Sequence, residues 1–208
     1  MELYTNWHSP EQAEAGMRER LPAQTISQVS EAIAFARAAH GDQRRPTGAP
    51  YIEHLLEALE ALVRGAGVTD PDLLSAAVLH DVVEDTDITS EELGKRFGPR
   101  VAELVGWVTI PPAGPGQDKL AVKEAAIRRL ASAPRDAMLV KLADRLSNVQ
   151  TIRNLNLERQ RQYYDQTVRL IVPLAAADPW FEDWYARWQA AHADLAADGP
   201  CPASPPPG

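Results

Sequence analysis

The segment at residues 76–86 (AAVLHDVVEDT) carries a histidine and three carboxylates at the end of an apolar run. Its apolar residues have the spacing of a helix anchored in a core: Ala76, Ala77, Leu79, Val82 and Val83. Because residues four apart share a helix face, His80 is expected beside Glu84. Asp81 is expected beside Asp85 for the same reason. Half-buried carboxylates repel one another and lose hydration, a cost that a proton, a basic partner or a metal cation relieves. The segment therefore predicts a core helix that ends at a metal centre.

An alternative interpretation of this segment needs no metal. Glu84 and Asp85 would then be solvated residues at a helix end, and His80 would be a core histidine with a hydrogen-bonded ring. Negative charge near a helix C-terminus opposes the helix dipole, however, and several such locally unfavourable residues together indicate function. We therefore favour the metal centre.

The composition is that of one globular domain. The chain has 208 residues, of which 45% are hydrophobic, enough for one substantial core. It has no apolar run of membrane-spanning length and no signal-peptide pattern at its start, so a cytoplasmic location is expected. The net charge of −8 argues against broad binding to nucleic acid or to an anionic membrane, which needs an extended cationic patch. A small anionic substrate remains compatible with a local cluster of basic residues.

Helical periodicity covers almost the whole chain and predicts an all-α fold. Helices are expected at about 25–40, 51–63, from 70 through the His-Asp segment, from 89 to the Gly98-Pro99 break, and at 101–108, 119–132, 135–152, 158–177 and 179–196. Segments rich in proline and glycine predict loops at 42–50 and 110–116. We divide the chain into an N-terminal extension at 1–24, one helical domain at 25–197, and a disordered Pro-rich tail at 198–208 that contains the single cysteine, Cys201.

Other polar residues can complete the predicted centre. Asp144 and Asn148 lie four apart in a helix whose neighbours are apolar, so they point the same way. An aspartate in that setting needs a metal or an ion pair with Lys141 or Arg145, and the spacing leaves both choices open. His54 begins another helix, where a lone histidine is more often structural than a ligand.

The other three histidines are expected outside the centre. By position His40 is a further candidate ligand, but it stands beside the helix-stopping Gly41, which favours a capping or dipole role instead. His8 and His192 have no acidic partners that the sequence identifies, and both are expected on the surface.

Several motifs, taken in order, resemble the HD-domain phosphohydrolases, and specifically the hydrolase domain of the RelA/SpoT homologues, which degrade the alarmone guanosine 3′,5′-bispyrophosphate (ppGpp). They are AHGDQRR at 39–45, GAPYIEH at 48–54, LHDVVEDT at 79–86, FG at 97–98 with VT at 108–109, and KLADRLSN at 141–148. HD alone is weak evidence, but HDxxED followed by KLADRLxN is highly specific to this branch. The resemblance spans about 34–155 and implies an HD-domain helical bundle.

The resemblance also implies a role for each matching residue. One divalent metal per chain, commonly manganese, would be bound by His54, His80, Asp81 and Asp144. The acidic pair beside it, in which a carboxylate orients and deprotonates the attacking water, would be Glu84 and Asp85. The substrate-binding residues would be Arg44, Arg45, Lys141 and Asn148, with Arg45 packing on the guanine. Further candidates for phosphate contacts are Lys119, Lys123, Arg128 and Arg129.

The chain departs from the family's usual pattern at four positions. Pro46 and Ile110 stand where the family usually has lysines, Leu55 replaces a proline, and Ser147 replaces the histidine of KLADRLHN. No metal ligand or acid is lost. Two basic residues are lost, so the phosphate pattern or the base of the substrate can differ from the family's usual one.

The expected activity is metal-dependent removal of the 3′-pyrophosphate of ppGpp or pppGpp, giving GDP or GTP and pyrophosphate. The chain looks like a stand-alone small alarmone hydrolase, similar in extent to the metazoan SpoT homologues, because no synthetase domain follows. One alternative is another HD-type nucleotide phosphohydrolase, acting on an adenosine alarmone or on NADPH. Another is a regulatory module with a degenerate HD site. The expected partner is the nucleotide substrate, and the sequence does not determine the oligomeric state.

Overall fold

A computed structural model describes residues 1–196, which form eleven α-helices. These are α1 (Pro10–Arg18), α2 (Ala23–His40), α3 (Ile52–Glu60), α4 (Pro71–Leu79), α5 (Val82–Asp85), α6 (Ser90–Phe97), α7 (Pro99–Val108), α8 (Lys119–Arg129), α9 (Arg135–Val149), α10 (Leu157–Gln166) and α11 (Pro179–Ala191). Within residues 1–196 the extended pairing consists of one isolated bridge between Arg44 and Pro50. The all-α prediction is confirmed. The predicted tail at 198–208 lies outside the described residues.

Several helices continue into a turn of different pitch. Turns of π-helix follow α3 at Ala61–Gly65 and α10 at Thr167–Ile171. Turns of 3₁₀-helix occupy Leu130–Ser132, Ile152–Asn154, Val172–Ala177 and Ala193–Leu195. These turns explain why the periodicity predicted longer helices at 51–63 and 158–177.

Local side-chain chemistry determines where several helices begin. Asp70 accepts hydrogen bonds from the backbone N–H groups of Asp72 and Leu73, both at 3.0 Å, and Pro71 occupies the first position of α4. Thr89 forms a capping box with Glu92 at the start of α6, the residue range at which a helix was predicted to begin. The Asp70 cap fixes the start of α4, which leads into the His-Asp pair.

The prediction of one continuous helix through the His-Asp segment is wrong. Helix α4 ends at Leu79, and α5 begins at Val82. His80 and Asp81 form the turn between them, where the His80 ring nitrogen Nδ1 lies 2.7 Å from the Ala77 carbonyl oxygen. This side-chain bond competes with the helical backbone bond that the carbonyl would otherwise accept. The turn directs both side chains to one point.

Helix α9 lies in the middle of the bundle and packs against α3, α4 and α7. Helix α11 is fastened to it by two hydrogen bonds to backbone carbonyls, from the Tyr185 hydroxyl to Leu142 at 2.7 Å and from Trp188 Nε1 to Val149 at 3.0 Å. The central position of α9 explains why Asp144 is buried.

Residues 1–24 pack on this bundle. Tyr4 and Trp7 are buried, and the Tyr4 N–H donates to Gln150 Oε1 at 2.8 Å. The carboxylate of the fully buried Glu60 accepts from the backbone N–H groups of Asn6 and Trp7. Helix α1 was not predicted, although its Ser9-Pro10 start is a recognisable cap. No helix within residues 1–196 has the length and apolar character needed to cross a membrane.

Candidate metal centre

Three elements bring the four predicted metal ligands together. His54 lies in the first turn of α3, His80 and Asp81 form the turn before α5, and Asp144 lies on α9. His80 Nε2 lies 3.2 Å from His54 Nε2 and 3.1 Å from Asp81 Oδ2. Asp144 Oδ1 lies 3.4 Å from His54 Nε2 and 3.6 Å from His80 Nε2. Their ligand atoms therefore surround one point.

The hydrogen bonds on the far side of each ring indicate which ring nitrogen carries the proton. A carbonyl oxygen only accepts, so His80 Nδ1 donates to Ala77. His54 Nδ1 lies 2.8 Å from the Ser147 hydroxyl, whose own hydrogen is donated to Glu57. His54 Nδ1 is therefore a donor as well. In the neutral rings both Nε2 lone pairs point into the centre.

This donor set fits a divalent metal. Two facing lone pairs 3.2 Å apart repel each other unless a metal cation or a proton lies between them. Metal–ligand distances of about 2.1 Å place neighbouring ligand atoms roughly 3 Å apart, close to the separations found here. Two imidazoles and two carboxylates suit a borderline-to-hard ion better than a thiolate-rich structural zinc site.

Burial and opposite charge compete at this centre. Burial lowers the pKa of His80, but the adjacent Asp81 and Asp144 outweigh it and hold that pKa well above the usual value. Burial raises the pKa of Asp144, but Lys141 and the two histidines outweigh it and hold that pKa well below the usual value. The four side chains therefore form a compact group of opposite charges that favours a bound cation or protons.

The two oxygens of Asp144 have different partners. Oδ2 accepts from Lys141 Nζ at 2.7 Å, whereas Oδ1 faces the histidines and accepts from Asn148 Nδ2 at 2.8 Å. The sequence left a metal and an ion pair as alternatives for this residue. The structure allows both at once, and it makes Lys141 and Asn148 neighbours of this predicted ligand.

The predicted acidic pair lies beside the centre. Glu84 Oε2 accepts from the Ile110 N–H at 3.0 Å, and partial desolvation raises the pKa of Glu84 above its usual value. Asp85 Oδ2 lies 3.0 Å from the Tyr51 hydroxyl, which also lies 2.5 Å from Asp81 Oδ2. Tyr51 therefore connects Asp85 to the predicted ligand Asp81, a role that the residue spacing did not indicate.

A cleft of about 200 Å³ opens over the centre. Its walls include basic and aromatic side chains from four parts of the chain: Arg45, Tyr51, Lys123, Lys141, Arg145 and Tyr163. Burial, together with Arg145 and Lys141, lowers the pKa of Lys123. The guanidinium of Arg145 lies 5.5 Å from the centre of the Tyr163 ring. These residues provide positive charge and flat surfaces beside the metal centre.

Other predicted substrate residues lie away from this cleft. Arg44 is exposed and donates to the Gly48 carbonyl at 2.9 Å. Arg128 pairs with Glu124, and Arg129 donates to two carbonyls at the end of α7. Lys119, in the first turn of α8, is also outside the cleft wall. Lys123 is thus the α8 candidate that reaches the site.

Comparison with known proteins identifies the family. The family model described as "HD domain" matches residues 32–180. This chain belongs to the HD-domain family. The resemblance predicted from the motifs is therefore confirmed, and an HD domain implies a divalent metal.

Several relatives of this HD-domain protein carry the name guanosine-3′,5′-bis(diphosphate) 3′-pyrophosphohydrolase. One from Aquifex aeolicus is 40% identical over 73% of this chain, which spans only 22% of that relative. The human protein MESH1 is 35% identical over 76% of this chain, which spans 90% of that relative. A solved structure described as "A metazoan ortholog of SpoT hydrolyzes ppGpp and plays a role in starvation responses" matches with a TM-score of 0.72 and 32% identity, covering 80% of this chain and 96% of that one.

The remaining histidines of this HD-domain protein lie outside the centre. His8 is exposed, 3.5 Å from Glu53. His40 ends α2, bonds to Gln43 and stacks on Tyr51. The prediction that His192 lies on the surface is wrong, because its ring is buried against Trp188 and its Nδ1 bonds to the Trp188 carbonyl.

Proposed function

We propose that this HD-domain protein removes the 3′-pyrophosphate of ppGpp or pppGpp, giving GDP or GTP and pyrophosphate. The observation that carries the proposal is the pair His54 and His80, whose Nε2 atoms lie 3.1 to 3.6 Å from oxygens of Asp81 and Asp144, beside the Glu84 carboxylate. The names of the relatives and of the similar solved structure support this substrate. We place the reaction in the cytoplasm.

We propose manganese as the metal and the four side chains as its ligands. When bound, a divalent metal lowers the pKa of a water molecule and neutralises charge that develops on a phosphate oxygen. Lys141 and Asn148 hold the Asp144 carboxylate in place through Oδ2 and Oδ1. Such supporting contacts orient a ligand before the metal arrives.

We assign the proton transfer to Glu84. Its raised pKa brings this carboxylate closer to neutral pH, where a general base is most effective. The Ile110 N–H holds one of its oxygens and leaves the other free for the attacking water. Asp85, which contacts the Tyr51 hydroxyl, is the second candidate for this role.

We assign nucleotide binding to the cleft walls. The guanidinium of Arg45 presents a planar surface for the base, and it is anchored by Glu57 at 2.9 Å. Lys123 and Arg145 supply charge for the phosphates beside the metal centre. Pro46 and Ile110 replace two lysines of the family. Lys123 and Arg145 therefore supply a larger share of the positive charge for the phosphates.

A product-resolved assay tests the proposed function. The purified protein is incubated with ppGpp, pppGpp, an adenosine alarmone and NADPH, with and without Mn²⁺. We expect GDP from ppGpp together with intact pyrophosphate, and we expect turnover only with the metal. Chromatography of the nucleotides and a pyrophosphate-specific assay measure both products.

The same panel distinguishes the alternatives. Preferential turnover of the adenosine alarmone or of NADPH would identify another HD-type phosphohydrolase, an outcome that the loss of two family lysines makes worth testing. Metal binding without turnover of any nucleotide would identify a regulatory module. The presence of Glu84, Asp85 and Asn148 argues against that last outcome.

A further inference from the structure

Two buried side chains connect the metal centre to Arg45. The Ser147 hydroxyl lies 2.8 Å from His54 Nδ1 and donates to the Glu57 carboxylate. Glu57 also accepts from Arg45 Nη1 at 2.9 Å, and Arg45 Nη2 lies 3.4 Å from the Ser147 carbonyl oxygen. The result is a continuous path from a predicted metal ligand to the arginine of the cleft wall.

The direction of each hydrogen bond in this path follows from what each group can donate. A carboxylate only accepts, so Glu57 receives one hydrogen from Arg45 and one from Ser147. The Ser147 hydroxyl has no second hydrogen, and its oxygen must accept from His54 Nδ1. With Nδ1 occupied, the neutral His54 ring has its lone pair on Nε2, which faces the centre. Glu57 thus determines the proton arrangement of the whole path.

Burial keeps water from replacing these contacts. Ser147 is fully buried, and the Glu57 side chain is 8% exposed. A carboxylate in such a place is costly unless it is paired, and Arg45 is the cation that pairs with it. Removing any member of the path leaves a buried polar group without its partner.

We infer that Ser147 and Glu57 are positioning residues that set the tautomer and orientation of His54 for the metal and hold Arg45 at the cleft. Metal affinity and nucleotide recognition are then linked through one carboxylate. The inference rests on the metal site of the proposed function and is independent of which nucleotide is cleaved. Ser147 occupies a position where the family usually has histidine, so the serine contacts described here depart from the family's usual pattern.

Metal affinity of the full chain provides the first test. Ser147→Ala removes the acceptor for His54 Nδ1, and loss of such a supporting contact typically weakens metal binding about 10- to 100-fold. We expect the dissociation constant for Mn²⁺ to rise by that factor, and Ser147→Thr to restore most of the affinity. Electron paramagnetic resonance of free Mn²⁺ during titration of the metal-free protein measures it.

Ser75→Ala is the matched control. Ser75 is also a fully buried serine, but its hydroxyl donates to the Pro71 carbonyl within α4 at 2.7 Å. It should bind Mn²⁺ like the wild type. Glu57→Gln preserves size but removes the charge that anchors Arg45, so it should raise KM for the nucleotide more than it lowers kcat at saturating Mn²⁺.

Nitrogen-15 NMR of the histidine rings provides a readout that needs no activity. In the metal-free protein at alkaline pH, His54 should carry its proton on Nδ1, and Ser147→Ala should shift the ring toward the Nε2 tautomer. Wild-type Mn²⁺ affinity and an unchanged tautomer in Ser147→Ala would overturn the inference. So would an equal loss of affinity in Ser75→Ala. Normal Mn²⁺ binding by a wild-type protein that leaves ppGpp intact would reject the proposed substrate without affecting these measurements.

Discussion

The tasks proposed for individual side chains of the centre can be separated by mutation. His80 and Asp81 face the point that the ligand atoms surround, whereas Glu84, three residues after Asp81, is held by the Ile110 N–H beside the cleft. The predicted ligands lie in the turn before α5 and the predicted acid lies within α5, so they occupy different parts of one short segment. Mutations within this segment should therefore separate metal binding from proton transfer.

His80→Ala or Asp81→Ala should lose bound metal and activity together. Glu84→Gln keeps the size of the side chain but cannot take a proton, so kcat should fall about 10²- to 10⁴-fold with near-normal metal content. Metal analysis and steady-state kinetics on the same preparations check this. If Glu84→Gln loses the metal, Glu84 is itself a ligand; if it loses nothing, Asp85 activates the water.

Arg45→Ala should lower kcat/KM roughly two- to thirty-fold, the range expected for loss of a cation–π contact. Arg45→Lys should restore only part of this, because an ammonium group has no planar face and has one nitrogen in place of the two that contact Glu57 and the Ser147 carbonyl. Arg44→Ala serves as the control, since Arg44 lies outside the cleft. Wild-type kcat/KM in both Arg45 variants would mean that other residues bind the base.

The pH dependence of kcat should report Glu84. This carboxylate must be deprotonated to accept a proton, so kcat should fall as the pH is lowered through its pKa. Partial desolvation raises that pKa, so the fall should begin at a higher pH than for an ordinary glutamate. The Ile110 N–H opposes that shift. Ile110→Pro removes this donor and should move the acid limb to higher pH, whereas Ile110→Ala keeps the donor and should not. The profiles are measured at saturating Mn²⁺, and identical limbs in all three proteins would contradict the assignment.

Among the helices, α4 is the element that delivers the His-Asp pair. Its N-terminus is capped by Asp70, which also binds the Arg100 guanidinium at 2.9 Å. The helix ends where the His80 ring donates a hydrogen bond to the Ala77 carbonyl oxygen. The two ends are separated by nine residues of helix, so changes at the cap should affect stability without reaching the ligands.

Asp70→Ala should lower the free energy of unfolding by about 1 to 2 kcal/mol, because two backbone N–H groups lose their acceptor. Asp70→Asn keeps a capping oxygen and should lose much less. Urea denaturation measures the stability, and Mn²⁺ titration should give the wild-type affinity for both variants. A weakened affinity in Asp70→Ala would show that α4 transmits strain to the His-Asp turn.

Across the molecule as a whole, the first residues of the chain are joined to the bundle that carries the site. Tyr4 bonds to Gln150, which follows the end of α9, and the Trp184 indole donates to the Glu2 carbonyl at 3.1 Å. Trp7 is buried against Gly16, where a β-carbon would come within 2.6 Å of the indole. The N-terminal segment and the bundle therefore share one core.

Trp7→Ala should destabilise the protein by about 3 to 5 kcal/mol, because it removes a buried aromatic ring and leaves a cavity. Since the segment shares the core, unfolding should remain a single transition at a lower urea midpoint. His8→Ala, at an exposed neighbour, should change little. Retention of the wild-type midpoint by Trp7→Ala would mean that residues 1–24 contribute little to the stability of the bundle.

Much of this protein could be predicted from sequence, because the relevant signals are local. Periodicity and caps predicted most helices, and the spacing of His80, Asp81 and Asp144 among apolar neighbours predicted a centre in the core. The resemblance added His54, for which spacing alone favoured a structural role. Helix α1 and the buried His192 were missed, although the Ser9-Pro10 signal for α1 is local.

Other features depend on contacts between distant parts of the chain. Asp144 pairs with Lys141 within α9, but its other oxygen faces the histidines only because α9 packs against α3 and α4. Ser147 reaches His54 and Glu57 across 93 and 90 residues of sequence. Tyr163 enters the cleft from α10, outside every motif. Helix positions and ligand chemistry could be deduced from the residues themselves, because backbone propensity and side-chain type are properties of short segments. The turn at His80 and the partner of each polar atom emerged only from the folded chain, because they depend on which helices pack together.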